Sequence, residues 1–258
     1  MLVATYNAHR GRGLNPAGPF RPDRIAAVIA EIRPDLIALQ EAQHYLRPGV
    51  PMLDAEAIER DLGLRLLRVP SVARRPGDHQ GWRGNLLLVR RDAAILRPPV
   101  GLRLGGLEPR GAMLAELDLG RGPFRLIACH LSLGAERRVL QARALLEAME
   151  AGAGRRLPAV VGGDFNEWRP GASALGVLEA VFGETPRLPT FPAFRPIFSL
   201  DRIMGRPHGL VQGAEAHDTP LARRASDHLP LKARIDTAVL GAAAAADDRD
   251  AGRTRLES

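Results

Sequence analysis

The segment from Val160 to Asn166 is an apolar run that ends in two glycines, an acidic residue and, two positions further on, an amide. A short apolar run bounded by glycine predicts a buried β-strand. Side chains alternate along a strand, so we expect Asp164 and Asn166 to face one way while Phe165 points into the core. Taken alone, the same residues could form a plain Asx turn, and the rest of the chain decides between the two.

Other predicted strands also border polar side chains. Each case has an ordinary explanation, since a lone glutamate after a strand is usually solvated and a Ser-Asp-His segment can be a loop or a cap. Their order along the chain argues against coincidence. The polar residues that border predicted strands are Asn7 after residues 2–6, Glu41 after residues 35–40, His130 at the end of residues 124–130, and Asp227 and His228 before residues 229–235.

The order of these motifs resembles the endonuclease/exonuclease/phosphatase superfamily, which contains DNase I, exonuclease III-type repair nucleases, sphingomyelinases and inositol polyphosphate 5-phosphatases. The opening residues 4–11 and the segment 189–192 look most similar to compact bacterial members. The motifs are common to nucleases, lipid diesterases and phosphatases, so they indicate no particular substrate. They are Tyr6-Asn7, Leu39-Gln40-Glu41, Gly84-Asn85, His130-Leu131, Gly163-Asp164-Phe165-Asn166, Leu200-Asp201-Arg202-Ile203 and Ser226-Asp227-His228.

The resemblance implies an α/β fold, a four-layer α/β/β/α sandwich with the active site where the strand ends of two sheets meet. The predicted elements fit it, because many strands with few helices suit two packed sheets flanked by helices. We expect helices over residues 22–33, 54–62 and 135–150, the last with Val139, Ala142, Leu146 and Met149 inward. Further strands are expected at 65–69, 85–91, 112–119, 158–163, 199–204 and 209–214.

Phosphoester hydrolysis requires charge neutralisation, a nucleophile and stabilisation of the leaving oxygen. Hard cations such as Mg²⁺ and Mn²⁺ prefer carboxylate and amide oxygens. We expect Glu41 to be the main ligand of such a cation, with Asn7 and Asp227 beside it. The chain has no Cys/His cluster, which argues against a structural zinc site.

The resemblance also implies roles for the remaining polar residues. Asp164 is expected to orient and deprotonate the attacking water, Asn166 to hold that water or a phosphate oxygen, and His130 and His228 to face the phosphate. A histidine used in this way needs a partner on its other ring nitrogen.

Asp201 matches the superfamily residue that pairs with His228, and Asn85 matches a residue whose amide lies near the phosphate. A salt bridge from Asp201 to Arg202 is the weaker alternative. For His130 the sequence names no acidic partner.

Length and composition suit one domain. The 258 residues, 45% of them hydrophobic, can bury a full core. We expect the domain to cover residues 1–237 and residues 238–258 to form a disordered tail. Residues 70–82 predict a mobile loop beside the site. The single cysteine, Cys129, is expected to be a buried structural thiol.

The formal net charge of +7 favours a polyanion such as nucleic acid or an anionic headgroup. Nearly all of it is arginine, with Lys232 the only lysine, and this bias is also typical of a GC-rich genome. We therefore expect a phosphodiester substrate, with nucleic acid slightly favoured over a phospholipid. A phosphomonoesterase is the second hypothesis, and a silent binding module has no need for so many catalytic residues. Without an apolar stretch long enough to span a bilayer, or a signal peptide, we expect a cytoplasmic monomer.

Overall fold

The computed structural model describes residues 1–44, 47, 50–70, 80–106, 110–151 and 157–242. Its strands form a six-stranded sheet, in the order β10-β11-β1-β2-β4-β3, and a five-stranded sheet, in the order β5-β6-β7-β8-β9. The strands of the first sheet are β1 Leu2–Asn7, β2 Leu36–Gln40, β3 Leu64–Leu67, β4 Leu86–Arg90, β10 Val211–Ala216 and β11 Leu231–Ile235. Those of the second sheet are β5 Ala94–Arg103, β6 Gly111–Asp118, β7 Pro123–His130, β8 Ala159–Asp164 and β9 Asp201–Arg206.

Helices cover the outer faces of both sheets. They are α1 Pro22–Ile32, α2 Ala55–Leu62, α3 Ala135–Glu150, α4 Ser173–Phe182 and the short α5 Ala222–Ala225. Apolar residues of α1, α2 and α5 pack on the six-stranded sheet, and those of α3 and α4 pack on the five-stranded sheet. No helix of the described part of the chain is long and apolar enough to cross a bilayer.

Strand alternation divides the apolar residues among the layers. On β8, Val160 packs between the two sheets, whereas Val161 faces the helical layer of α3 and α4. On β1, Val3 and Ala4 divide in the same way between the inter-sheet core and the layer under α1. This arrangement confirms the predicted four-layer α/β/β/α sandwich.

Helix α1 forms where the apolar pattern predicts it. Pro22 occupies the first turn, where its missing N–H costs nothing, and Ile25 and Ile29 lie on the buried face. The chain leaves the helix at Arg33, which has a left-handed backbone (φ 50°). Pro34 follows and disfavours a continued helix.

Helix α3 begins and ends as predicted, and Ala142 and Met149 are buried as predicted, but the other two residues expected to face inward are not fully buried. The fully buried positions include Arg138, Gln141 and Leu145, whereas Val139 and Leu146 are only half-buried. Arg138 is a charged residue, a type that is rarely fully buried unless it is paired. Its burial is compensated by a carboxylate beside the active site, described below.

Three of these elements were not predicted, and one of them is the single-turn helix α5. Strand β5 is an exposed edge strand that contains Pro98 and Pro99 and pairs with β6 through register shifts, so it carries no clear alternation. Helix α4 is apolar at most positions and therefore shows no amphipathic stripe. The predicted bounds of the other strands are off by up to two residues.

The disorder predicted from residue 238 onwards is not found in residues 238–242. Residues 237–242 are helical, Asp236 Oδ1 accepts a hydrogen bond from the Ala238 backbone N–H at 2.8 Å, and Leu240 is fully buried in the inter-sheet core. The prediction missed this turn because one buried leucine makes no periodic pattern. Residues 243–258, and most of the loop expected at 70–82, lie outside the described residues.

Candidate active site

The candidate catalytic residues meet at the strand ends of the two sheets. β1 and β2 are parallel, so Asn7 at the end of one lies beside Gln40, after which comes Glu41. In the second sheet, β7 and β8 are also parallel, and His130 lies opposite Asp164. β9 runs antiparallel to β8 and begins at Asp201, opposite Asp164.

Asp164 is at the centre of this group and is almost completely buried. Its Oδ2 accepts a hydrogen bond from Asn7 Nδ2 at 2.9 Å and lies 3.3 Å from His130 Nε2 and 3.9 Å from His228 Nε2. Burial alone would raise the pKa of Asp164, but the hydrogen bond from His130 and the charges of the two histidines hold that pKa well below its usual range. Asp164 is therefore an ionised carboxylate between two imidazoles.

Asn166 forms the Asx turn that the sequence left open, and the turn belongs to the site. Its backbone N–H donates to Asp164 Oδ1 at 2.9 Å, in a left-handed conformation (φ 51°), and its Nδ2 donates to Leu131 O at 2.9 Å. A Cβ at Gly163 would overlap the Cys129 carbonyl oxygen, so glycine is required there. Cys129 is buried as predicted, and burial raises the pKa of its thiol.

His228 is held by a carboxylate from the opposite sheet. Its Nδ1 donates to Asp201 Oδ2 at 2.9 Å, and the hydroxyl of Thr190 donates to the same oxygen at 2.6 Å. Burial lowers the pKa of His228, but the charges of Asp201 and Asp164 outweigh it and raise that pKa to about 10. The imidazolium thus presents its Nε2–H towards Asp164 at neutral pH.

Glu41 and Asp227 lie on the side of the six-stranded sheet. Arg10 Nε is 3.4 Å from Glu41 Oε2, Arg110 Nη1 is 3.8 Å from Glu41 Oε1, and His9 Nδ1 is 3.5 Å from Asp227 Oδ1. Burial would raise the pKa of Glu41, but His130 and the two arginines lower it overall. Burial raises the pKa of Asp227, and the charge of Glu41 raises it further.

The donor set of Glu41, Asp227 and Asn7 fits a hard divalent cation. Burial is the main cause of the raised pKa of Asp227, and the charge of Glu41 adds to it, so the two carboxylates lie close enough to interact. Within the described residues no cluster of three or more His, Cys, Asp or Glu side chains is arranged to hold a metal. Two carboxylates and an amide oxygen nevertheless suit Mg²⁺, which usually keeps several waters and binds substrate phosphate.

Asn85 lies next to the site but is fully buried. Its Nδ2 donates to Trp82 O at 3.2 Å and to Gly111 O at 3.1 Å, so both amide protons bind backbone. The structure thus gives Asn85 a role in holding the β6 start, and its contact with substrate stays a prediction.

Sequence reasoning missed Arg110, which contacts the His130 ring with its Nη1 2.7 Å from Nδ1. A signal was present, because β6 and β7 form an antiparallel hairpin and the residue before Gly111 must lie beside the end of β7 at His130. It also left His130 without an acidic partner, and the structure supplies Asp164 at 3.3 Å.

A buried ion pair supports the site from behind. Arg138 Nη2 donates to Glu167 Oε2 at 2.8 Å, its Nε donates to Ser173 Oγ at 2.9 Å, and its Nη1 donates to the Ser132 carbonyl at 3.2 Å. Burial would raise the pKa of Glu167, but hydrogen bonds from Arg169 and Arg138 lower it to about 2. The pair connects the segment after Asn166 with the segment after His130.

Glu167→Gln is expected to lower the free energy of unfolding by about 3 kcal/mol, because it leaves the buried Arg138 guanidinium without its carboxylate. Guanidinium chloride denaturation followed by circular dichroism measures this change. The control is Asp23→Asn, which breaks the exposed Arg21–Asp23 pair and should change stability little. Equal stability of the Glu167 variant and the wild type would contradict this role.

Several solved structures share this fold at low sequence identity. A mannosyl-6-phosphatase of Bacteroides thetaiotaomicron is 20% identical, with 92% of this chain and 99% of that chain covered and a TM-score of 0.68. The human Nocturnin catalytic domain with bound sulfate is 21% identical, with 90% and 92% covered and a TM-score of 0.65. D. rerio TDP2 complexed with a single-strand DNA product is 14% identical, with 90% and 97% covered and a TM-score of 0.63.

At these identities the solved structures establish the fold alone. No curated protein gives a significant match to this chain. The endonuclease/exonuclease/phosphatase family model matches residues 4–228, which is most of the described chain. The chain therefore belongs to the endonuclease/exonuclease/phosphatase family and is a phosphoester hydrolase.

Proposed function

We propose that this hydrolase cleaves phosphodiester bonds with the aid of Mg²⁺ or Mn²⁺, and that nucleic acid is its favoured substrate. The observation that carries the proposal is the ionised Asp164 between His130 and His228, with donor oxygens of Glu41 and Asp227 nearby. The Asp164 carboxylate can orient a water, while the histidines and a cation bound by Glu41 and Asp227 can neutralise the anionic ester.

The proposed reaction begins when the phosphate oxygens accept hydrogen bonds from His130 and His228. These bonds stabilise the charge of the ester, and they draw the histidine protons away from Asp164. The carboxylate then becomes more basic than in the unbound site, because hydrogen bonds to its charged form are what lower its pKa. Asp164 orients the attacking water and takes its proton, while Asn166 holds the water or a phosphate oxygen. The water oxygen bonds to phosphorus as the P–O bond to the leaving oxygen breaks, and the leaving oxygen keeps the electron pair and is protonated from solvent.

Asp201 keeps His228 charged and fixes its ring orientation through the 2.9 Å contact to Nδ1. The charged Nε2–H then faces the phosphorus centre, where negative charge grows in the transition state. Glu41, Asp227 and Asn7 would hold the divalent cation. When bound, that cation supplies further charge stabilisation to the phosphate and its leaving oxygen.

A phosphomonoester is the second candidate, and Arg10 and Arg110 favour it. Two guanidinium groups beside Glu41 and His130 add positive charge, which suits a phosphate that carries more negative charge than a diester. We rank it second because the strongly basic chain also suits a polyanion.

A substrate panel tests the proposal: supercoiled DNA, abasic duplex, RNA, sphingomyelin, bis-p-nitrophenyl phosphate and p-nitrophenyl phosphate, each with Mg²⁺ or Mn²⁺ and with chelator. We expect cleavage of the diesters to depend on metal and to exceed that of the monoester. Preference for p-nitrophenyl phosphate would instead favour the monoesterase.

Binding to duplex DNA is expected to weaken steeply with salt. On a log-log plot the slope should be roughly 0.9 per phosphate neutralised, because each arginine contact releases a condensed counterion. Fluorescence anisotropy of a labelled duplex over a salt series measures the slope, and a single-phosphate ester serves as the low-slope control. A flat slope together with cleavage of sphingomyelin would contradict the nucleic acid substrate and leave the diesterase intact.

A further inference from the structure

Two pairs of aromatic rings lie beside the catalytic histidine, and a backbone β-bridge connects one pair with the other. The Phe191 ring lies 4.9 Å from the His228 ring, centroid to centroid, and the Trp168 ring lies 5.4 Å from the Phe198 ring. Phe191 and Phe198 are directly opposite each other in a short antiparallel bridge, with both backbone hydrogen bonds between them formed. Residues opposite each other in such a bridge have their side chains on the same side.

We call Trp168, Phe191 and Phe198 the aromatic row. Its inner end touches His228, and its outer end is Trp168, whose side chain is 50% exposed. Trp168 follows Asn166 by two residues, so the outer end of the row is also connected to the catalytic group through the chain. Phe194 and Ile197, in the loop between Phe191 and Phe198, are also exposed.

Aromatic residues are scarce elsewhere in this chain. It has only two tryptophans and seven phenylalanines, and the other tryptophan, Trp82, is buried. Exposing the apolar surface of a tryptophan to water costs free energy. The half-exposed Trp168 beside a catalytic site therefore favours a ligand that covers it. An isolated exposed leucine would not carry the same argument, because single exposed apolar residues are ordinary.

The shape of the row favours a flat ring over a flexible chain. Three cavities of the described residues lie elsewhere, around Phe20 and Met52, around Leu140, and around Trp82 and Val100. Trp168 is 50% exposed and Phe194 is 61% exposed, so this end of the row is an open surface, whereas an acyl chain is best buried in a cavity. Every nucleobase has a π-face that stacks on aromatic side chains.

We propose that the aromatic row, with Trp168 as its outer platform, stacks the nucleobase attached to the scissile phosphate. The inference rests on the proposed diesterase function and specifies its substrate class as a nucleotide ester. Stacking of one base contributes about 1–3 kcal/mol, which corresponds to a roughly 5- to 150-fold gain in affinity. The row thus selects the organic group of the ester, while His228 and its neighbours bind the phosphate.

Ligand titration tests stacking without any hydrolysis of a diester. Thymidine 5′-monophosphate should quench the fluorescence of Trp168 and bind at least about fivefold more tightly than ribose 5-phosphate, which has the phosphate and pentose but no base. The same titration of Trp168→Phe identifies the quenched tryptophan, because only the buried Trp82 then remains. Equal affinities for the two ligands, with unchanged fluorescence, would overturn the proposal.

Steady-state kinetics provide the second arm, with p-nitrophenol as a common leaving group. The wild type should cleave the p-nitrophenyl ester of thymidine 5′-monophosphate with a kcat/KM about tenfold above that of methyl p-nitrophenyl phosphate. In Trp168→Ala the ratio of the two kcat/KM values should fall close to one. Trp168→Phe keeps an aromatic ring and should therefore keep most of the preference for the thymidine ester. Leu96→Ala, at an exposed position on the edge strand β5, is the matched control and should keep the wild-type ratio.

The outcomes separate the two proposals. Hydrolysis of neither ester contradicts the diesterase function, while the ligand titration still decides on the row. Hydrolysis of both with equal kcat/KM, or with the same ratio in Trp168→Ala as in the wild type, overturns the row and leaves the diesterase. A preference for octyl p-nitrophenyl phosphate over the thymidine ester would also overturn it, in favour of an acyl occupant.

Discussion

Asp164→Asn is expected to lower kcat by at least about a hundredfold, the scale of losing a general base. The amide keeps the size of the side chain and can still accept a hydrogen bond from Asn7, but it cannot take a proton from water. It also removes the negative charge that lies between His130 and His228. The effect should appear in kcat, because substrate binding relies on groups that the variant retains.

Turnover of bis-p-nitrophenyl phosphate with saturating Mg²⁺ measures this loss, with substrate binding followed by calorimetry. Asp92→Asn, in an exposed ion pair with Arg90, serves as the control and should keep wild-type turnover. Near-normal kcat in Asp164→Asn, from protein free of contaminating esterase, would assign proton transfer to another group.

The second large effect is expected from Glu41→Ala, which should weaken Mg²⁺ binding by more than about a hundredfold. Loss of groups that only support a ligand already costs tenfold to a hundredfold in metal affinity, and Glu41 is the proposed ligand itself. Glu41 also has a left-handed backbone (φ 47°), a conformation that is costly for a non-glycine residue and concentrates at functional sites. The fold therefore holds this carboxylate in place at some cost in stability.

Isothermal titration of the protein with Mg²⁺ measures the affinity directly, without a turnover assay. Glu59→Ala, at an exposed position of α2, is the control and should bind Mg²⁺ as the wild type does. Circular dichroism establishes that the Glu41 variant is folded, since Arg10 and Arg110 each lose the ion pair with Glu41. An unchanged Mg²⁺ affinity in Glu41→Ala would remove Glu41 from the ligand set.

The strand-end residues could be predicted because their positions follow from local rules. Side chains alternate along a strand with a period of two residues. A polar residue at the end of a strand therefore lies where the strands of the sheet end, whichever residue it contacts there. The meeting of Asp201 with His228 is different, since 27 positions separate them. That pair came from the motif resemblance, and no local pattern implies it.

What the sequence analysis missed depends on tertiary contacts. Arg138 carries a charge, and charge usually indicates a solvated position, yet Glu167 compensates it in the interior. The aromatic row depends on a bridge between Phe191 and Phe198, which a loop without periodicity forms. Leu240 is a single apolar residue whose burial depends on the inter-sheet core.

Two of the site contacts, Asn7 with Asp164 and His228 with Asp201, join residues on opposite sheets. Catalytic alignment therefore depends on how one sheet is seated on the other, and a displacement of about 1 Å can cost a hundredfold in rate. Apolar residues such as Val160, which fill the space between the sheets, consequently act on turnover from a distance. Homologues with identical polar residues in the site can therefore differ in kcat when the side chains between their sheets differ in volume. Substitutions in the core are thus a second way in which selection can change the turnover rate.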